Sequence, residues 1–263
     1  MLSRAQSSYL LNLFNKKRLE ASFEGRLVIS LHGCIVFQTL WATARLKKFS
    51  SKYTDLFNLV ENLPNAFSDF PFKYFGWDIA PQQVYWELSS LIRIAIDRKP
   101  KVILEIGTAT GGTLFVLSRI APKDATIISI DLPGGKYGEG YPMWRIPYYK
   151  SFAAHKQKMI LFRGDSHAQS IFEKVKKILG SKQLDLLFVD GDHTYSGVKQ
   201  DFEIYGPLVK KGGLIVFHDI CQHPAETGVE VKRFWDETKT RYQHEEIIRD
   251  KNQGWAGIGV LFA

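Results

Sequence analysis

Cysteine is nearly absent from this chain: Cys34 and Cys221 are the two in 263 residues. Two isolated cysteines make neither a disulfide framework nor a CxxC metal site, so a reducing, cytoplasmic setting is expected. The G-x-G-x-x-G fingerprint of a dinucleotide site is also missing. There is no internal repeat or low-complexity tract, and a composition of 45% hydrophobic and 24% charged residues excludes disorder as the default. Acidic residues are scarce in one place. Residues 1–60 hold nine Lys and Arg against three acids, a net of +6, which leaves only +2 for the remaining 203 residues. Basicity thus belongs to an extension and says little about what the rest of the chain binds; nucleic acid is not the expected partner.

Within that extension, Leu27 to Ala44 is a stretch of eighteen residues without Asp, Glu, Lys or Arg. That nearly reaches the length of a membrane span. Ser30, His32, Gly33, Gln38, Thr39 and Thr43 dilute it, and it begins too far from Met1 for an ordinary signal peptide. A packed helix or strand pair is favoured over membrane-surface contact, and either over a true span. Asn62 to Trp77, with Pro64, Pro71, Gly76 and the rings of Phe67, Phe70, Phe72, Tyr74 and Phe75, reads as an irregular connection. The expected organisation is an extension over 1–80 and a domain over 81–263. An extension with exposed apolar surface is commonly buried against a second copy, so a homo-oligomer is expected.

The domain is organised around Lys101 to Thr113, KVILEIGTATGGT. Val102, Ile103, Leu104 and Ile106 form a short apolar run between Pro100 and Gly107, which suits a strand buried on both faces of a parallel sheet. Gly107, Gly111 and Gly112 permit a sharp turn close to a ligand, and a helix follows from Thr113. Pro81 opens an earlier helix that Pro100 stops. Further strands are expected over Ala125–Ile130, Met159–Phe162, Leu184–Val189 and Leu214–Phe217, each followed by a helical stripe. Glu246–Ile248 and Gly257–Phe262 close the chain as strands at an antiparallel edge. This alternation predicts an α/β fold with a doubly wound, mostly parallel sheet.

Successive strands end in acids: Glu105, Asp131, the Asp165 turn and Asp190. The carboxyl ends of such strands form the ligand crevice, so these groups are expected to line one cleft. Asp131 is placed to take the hydroxyls of a ribose, and Asp165 with Ser166 to face an adenine. Each acid alone could equally be a helix cap. Glu105 beside the glycine turn would repel a pyrophosphate but welcome a cation. A ribose and an adenine without a phosphate pocket suggest S-adenosylmethionine, whose sulfonium is positive.

EIGTATGGT, the Asp131 strand end, FRGDSH and LDLLFVDGDHTYSGVKQDFEIYGPLVKKGGLIVFHDI together resemble the class I S-adenosylmethionine-dependent methyltransferases. The similarity is greatest to metal-dependent small-molecule O-methyltransferases of the catechol, macrolide-sugar and cephalosporin hydroxylase types, and it spans about Pro81 to Ala263. The resemblance implies a Rossmann-like fold and a cofactor site at Glu105, Gly107, Thr108, Gly111, Thr113, Asp131, Asp165, Ser166 and Asp190. It also implies a divalent metal, Mg²⁺ or Mn²⁺, at Asp190, His218 and Asp219, with His193 as general base toward a small-molecule hydroxyl. Relatives carry an acid at the position of His218; an imidazole there suits Mn²⁺, Fe²⁺ or Zn²⁺ better than Mg²⁺. A catalytically silent cofactor-binding partner and a nucleotide-dependent oxidoreductase on the same fold stand as alternatives. Leu132 to Tyr149, with four glycines, five Tyr and Trp rings and Arg145, is long for such a link and is expected to form a lid or acceptor wall. Asp192 and Tyr195 could position a ligand or only shape a turn. His155, His167, His223 and His244 have no partner that the sequence names.

Overall fold

The computed structural model describes Ala44 and residues 79–135, 140–154 and 156–263. Apart from Ala44 and residues 79–80, the expectations for the extension lie outside the described residues, as do His155 and residues 136–139 of the long link. Among the described residues no helix is long and apolar enough to cross a membrane.

A seven-stranded sheet carries the domain. β1 (Val102–Ile106) pairs in parallel with β2 (Thr126–Asp131) and β4 (Leu184–Val189). β3 (Lys158–Arg163) lies outside β2, and β5 (Val209–His218) outside β4. β7 (Ile258–Phe262) runs antiparallel beside β5, and β6 (Gln243–Ile247) closes the edge, giving the order β3-β2-β1-β4-β5-β7-β6. Every residue of β1 is buried, because helices cover both faces of a parallel sheet. β6 instead exposes Gln243, His244, Glu245 and Glu246, and charged side chains on an edge discourage further strand pairing.

Among the described residues from 79 on, the helices are α1 (Tyr85–Ile96), α2 (Gly112–Ile120), α3 (Ile146–Lys150), α4 (Gln169–Leu179), α5 (Tyr195–Tyr205) and α6 (Val231–Thr238). α5 starts where Thr194 Oγ1 accepts the Gly197 N–H at 3.1 Å, an ordinary side-chain N-cap. α1 begins four residues later than Pro81 predicts. Residues 79–84 are held elsewhere: the Thr110 hydroxyl donates to the Ala80 carbonyl at 2.9 Å, and the Gln83 side chain bonds into the site. Those bonds outcompete helix extension.

The long link after β2 is less lid-like than its glycines suggest. Tyr141, Tyr148 and Tyr149 are buried against Phe152 and one another, with Phe115 packed edge-on to Phe152 at 5.4 Å. Among its described residues, Leu132, Met143 and Trp144 are the exposed large apolar side chains.

Candidate active site

Strand order reverses between β1 and β4, so their carboxyl ends open a crevice with no helix across it. Gly107 ends β1 with φ +86°, and a Cβ there would lie 1.8 Å from the Asp190 carbonyl oxygen. Only glycine lets these two chain ends lie so close. The crevice holds a cavity of about 300 Å³, at the lower end of the range for small-molecule pockets. Its wall comes from the turns after four strands: Gly107, Asp131, the segment 164–167, and Asp190 to Asp192 with Thr194.

Gly107, Asp131, Asp165, Ser166 and Asp190 are therefore gathered as the sequence predicts. Asp131 is nevertheless committed to the backbone: Oδ1 accepts the N–H groups of Thr108 and Ala109 at 3.0 and 3.3 Å, and Oδ2 that of Tyr141 at 2.8 Å. Its carboxylate fastens the glycine turn and the long link to β2 while facing the cavity. Thr108 and Thr113 line a smaller polar pocket next door, together with Gln83, Asp190 and His193. Gly111 lines neither space; it is the left-handed residue before α2, with the Tyr149 ring 2.9 Å from where a Cβ would sit.

Glu105 departs from expectation. It is fully buried within the strand, outside both spaces, and its Oε2 accepts from the Thr108 hydroxyl at 2.9 Å. Burial lifts its pKa well above the usual carboxylate range; the Thr108 bond opposes this, and Asp131 and Asp190 add to it. Burial favours the uncharged form of a carboxyl, and with β1 covered on both faces Glu105 lies away from a ligand in either space.

At the tip of β4 and β5 a compact ionic cluster forms. Asp219 follows β5 in the left-handed region, φ +62°, a conformation that non-glycine residues adopt rarely and that concentrates at functional sites. His193 Nε2 lies 3.4 Å from Asp190 Oδ1 and its Nδ1 3.3 Å from Asp219 Oδ2. His218 Nδ1 sits 3.3 Å from Oδ1 of both acids. Burial works against ionising all four, yet the imidazoles hold both carboxyls low and the carboxylates hold both imidazoles above their ordinary pKa. Asp190, His193 and Asp219 each offer a ligand atom within 4.8 Å of the others, so the histidine expected as base is also placed as a donor. Two carboxylates flanked by imidazoles fit a divalent ion, and the buried His218 Nε2 has no hydrogen-bond partner.

Three contributors escaped the sequence. Gln83, buried, donates from Nε2 to Asp190 Oδ2 at 2.8 Å and accepts from the Thr113 hydroxyl at 2.7 Å. His223 Nε2 stands 3.2 Å from Asp219 Oδ1, a partner that the four-residue spacing could have suggested. His167 Nε2 stands 3.2 Å from Asp201 Oδ1, a pairing no local spacing reveals. His244 meets the Tyr242 carbonyl at 3.1 Å and packs edge-on against the Trp235 ring at 5.9 Å. Asp192 lines the cavity and accepts the Thr194 N–H at 2.9 Å, whereas Tyr195 bonds to Glu237 at 2.6 Å.

Residues 104–220 match the family model described as a methyltransferase domain. An uncharacterized protein of Sinorhizobium fredii is 29% identical over 174 residues, 62% of this chain and 17% of that protein. One of Acanthamoeba polyphaga mimivirus is 33% identical over 116 residues, 44% of this chain and 50% of the relative. The chain thus spans at most half the length of these curated relatives. Among solved structures, the tomaymycin-synthesis O-methyltransferase TomG of Streptomyces achromogenes, in complex with S-adenosylmethionine, aligns over 100% of this chain and 99% of its own, at 18% identity and TM-score 0.51. The TDP-rhamnose 3'-O-methyltransferase CalS11 of calicheamicin biosynthesis aligns over 85% and 93%, at 16% identity and TM-score 0.50. Residues 104–220 are thus similar to a methyltransferase domain, and the fold is the one seen in the O-methyltransferases TomG and CalS11.

Proposed function

We propose that this protein transfers the methyl group of S-adenosylmethionine to a hydroxyl of a small molecule, sugar- or natural-product-like, with a divalent ion at Asp190, Asp219 and His218. The observation that carries the reading is the adjacency of two spaces: Asp190 lines both the larger cavity and the smaller pocket that holds His193. TomG and CalS11, O-methyltransferases of tomaymycin and calicheamicin synthesis, support the acceptor class.

Bound in the larger cavity, S-adenosylmethionine would supply an electrophilic methyl group on a cationic sulfur. An ion at the β4–β5 tip would lower the pKa of the acceptor hydroxyl. The chain's own part is placement and proton handling. Gly107 lets the Asp190 backbone close against the end of β1 and so sets the cavity wall, while Asp165 and Ser166 face the nucleoside end. Gln83 holds Asp190 Oδ2 so that Oδ1 turns toward the imidazoles. His193, lining the smaller pocket, takes the hydroxyl proton at Nε2, the nitrogen on the Asp190 side. His218, at 5% exposure, lies deeper and serves as a ligand rather than as a base. In-line placement would then lower the barrier for the oxygen to bond to the methyl carbon as the carbon–sulfur bond breaks and a neutral thioether leaves.

A second reading has one observation in its favour: the carboxylates are already neutralised by imidazoles, so the cluster stands without an ion, as in a silent binding partner. The deciding experiment supplies S-adenosylmethionine and a panel of sugar and phenolic acceptors with and without Mn²⁺ or Mg²⁺, and detects methylated product by mass spectrometry. Metal-stimulated transfer is expected, with Asp219→Asn lowering metal affinity by about 10- to 100-fold. Tight S-adenosylhomocysteine binding with no transfer to any acceptor, and a metal affinity unchanged in Asp219→Asn, would favour the silent partner.

A further inference from the structure

The His167–Asp201 pair has no part in the reading above, and its setting is unusual. Asp201 projects from α5 and is fully buried. Among the described residues the one basic group placed against it is the His167 imidazole, Nε2 to Oδ1 3.2 Å, with the Ser166 hydroxyl beside it. A buried carboxylate without a counter-charge is costly. His167 follows the β3 turn, lines the larger cavity, and remains 19% exposed. Its Nδ1 lies 3.7 Å from Asp165 Oδ1, while the Asp165 carboxylate accepts the His167 N–H at 2.9 Å. A second tie fastens the same turn to the same helix: the Tyr205 hydroxyl donates to the Ser166 carbonyl at 2.7 Å.

We infer that His167 is a positioning residue of the donor site: its imidazolium, anchored on buried Asp201, pins the turn carrying Asp165 and Ser166 against α5 and so shapes the nucleoside end of the cavity. This rests on the S-adenosylmethionine reading of that cavity. The groups that bear on the pair are Asp165 from its own turn, Asp201 and the Gly197 backbone from α5, the Ser166 hydroxyl, and Asp192 beside α5; all the charges are negative. The Asp201 hydrogen bond, with help from Asp165, raises His167 above the ordinary imidazole pKa against the pull of burial. Burial lifts Asp201, and His167 and Ser166 oppose that lift. The pair therefore keeps its proton to a higher pH than a free histidine. The sign follows: the link is intact below the ordinary imidazole value near 6.5 and is lost as pH rises through the raised one.

The test is calorimetric titration of the full chain with S-adenosylhomocysteine from pH 5.5 to 9.5, for the wild type, His167→Gln and the isosteric Asp201→Asn. Wild-type affinity is expected to fall several-fold on the alkaline side. His167→Gln should bind with reduced affinity that no longer varies over that range, and Asp201→Asn should move the midpoint down toward an ordinary histidine. Tyr205→Phe, which cuts the other tie, should weaken binding but keep the pH profile. A wild-type affinity flat across the range, or a His167→Gln profile with the wild-type midpoint, would overturn the inference while leaving the donor reading intact. No binding at any pH would remove both.

Discussion

At the scale of single residues, space and charge sort the site's members more sharply than residue type does. Gly107 and Gly134 both have positive φ, +86° and +74°, but only the first faces a neighbour. Gly107→Ala should cost about 4 kcal/mol, from backbone strain and overpacking together. Gly134→Ala, with nothing within 4 Å of its Cβ, should cost about 1 kcal/mol from the left-handed backbone alone. Urea unfolding of the two variants checks the contrast, and equal losses would mean that contact with Asp190 is not what demands glycine. Acid positions in the site were legible because strand ends are legible. Their roles were less so: Glu105 turned inward to Thr108, and Asp131 gave its oxygens to three backbone N–H groups. Sequence spacing tells which turn a side chain belongs to, not which donors reach it first.

At the scale of elements, a buried carboxylate ties α1 to the antiparallel edge. Glu87 Oε1 accepts from the Arg249 N–H at 3.0 Å and from Gln253 Nε2 at 2.8 Å, and Oε2 accepts the Gly257 N–H at 3.0 Å. Glu87→Ala leaves these donors unpaired in a closed environment and should destabilise the fold by about 3 kcal/mol. Glu87→Gln, which keeps an acceptor, should lose about half of that. Thermal unfolding distinguishes them; equal losses would point to packing instead. Helix and strand identities followed from periodicity, since buried runs such as ILEI and LDLLFV have no other stable use. Boundaries did not. β5 begins at Val209 rather than Leu214, and α1 at Tyr85 rather than Pro81, because ladder partners and long-range side-chain bonds decide where an element starts.

For the whole molecule, the exposed apolar rim of the long link is the proposed acceptor wall. Met143 and Trp144 project outward from the short helical turn Met143–Arg145, and the Arg145 guanidinium lies 5.4 Å from the Trp144 ring centre and donates to the Tyr149 hydroxyl at 3.0 Å. Trp144→Ala should raise the acceptor's KM about tenfold while leaving S-adenosylhomocysteine affinity within about twofold, as loss of one ring's contact area predicts. An unchanged KM with a weakened cofactor would reassign the rim to the donor side. The three tyrosines packed beneath it make this wall a fixed surface more than a closing flap.

By itself, the sequence determined the alternation of strands and helices, the glycine turn at the end of β1, and the run of acids at strand ends, because each depends on local periodicity or on a backbone that only glycine adopts. Tertiary structure alone decided that Gln83 would brace Asp190, that His193 would reach across to Asp219 and His218 to Asp190, and that His167 would meet Asp201. Those partners are separated along the chain by intervals that carry no signal, and they meet because the order β3-β2-β1-β4-β5 brings strand ends and helix starts to one edge of the sheet.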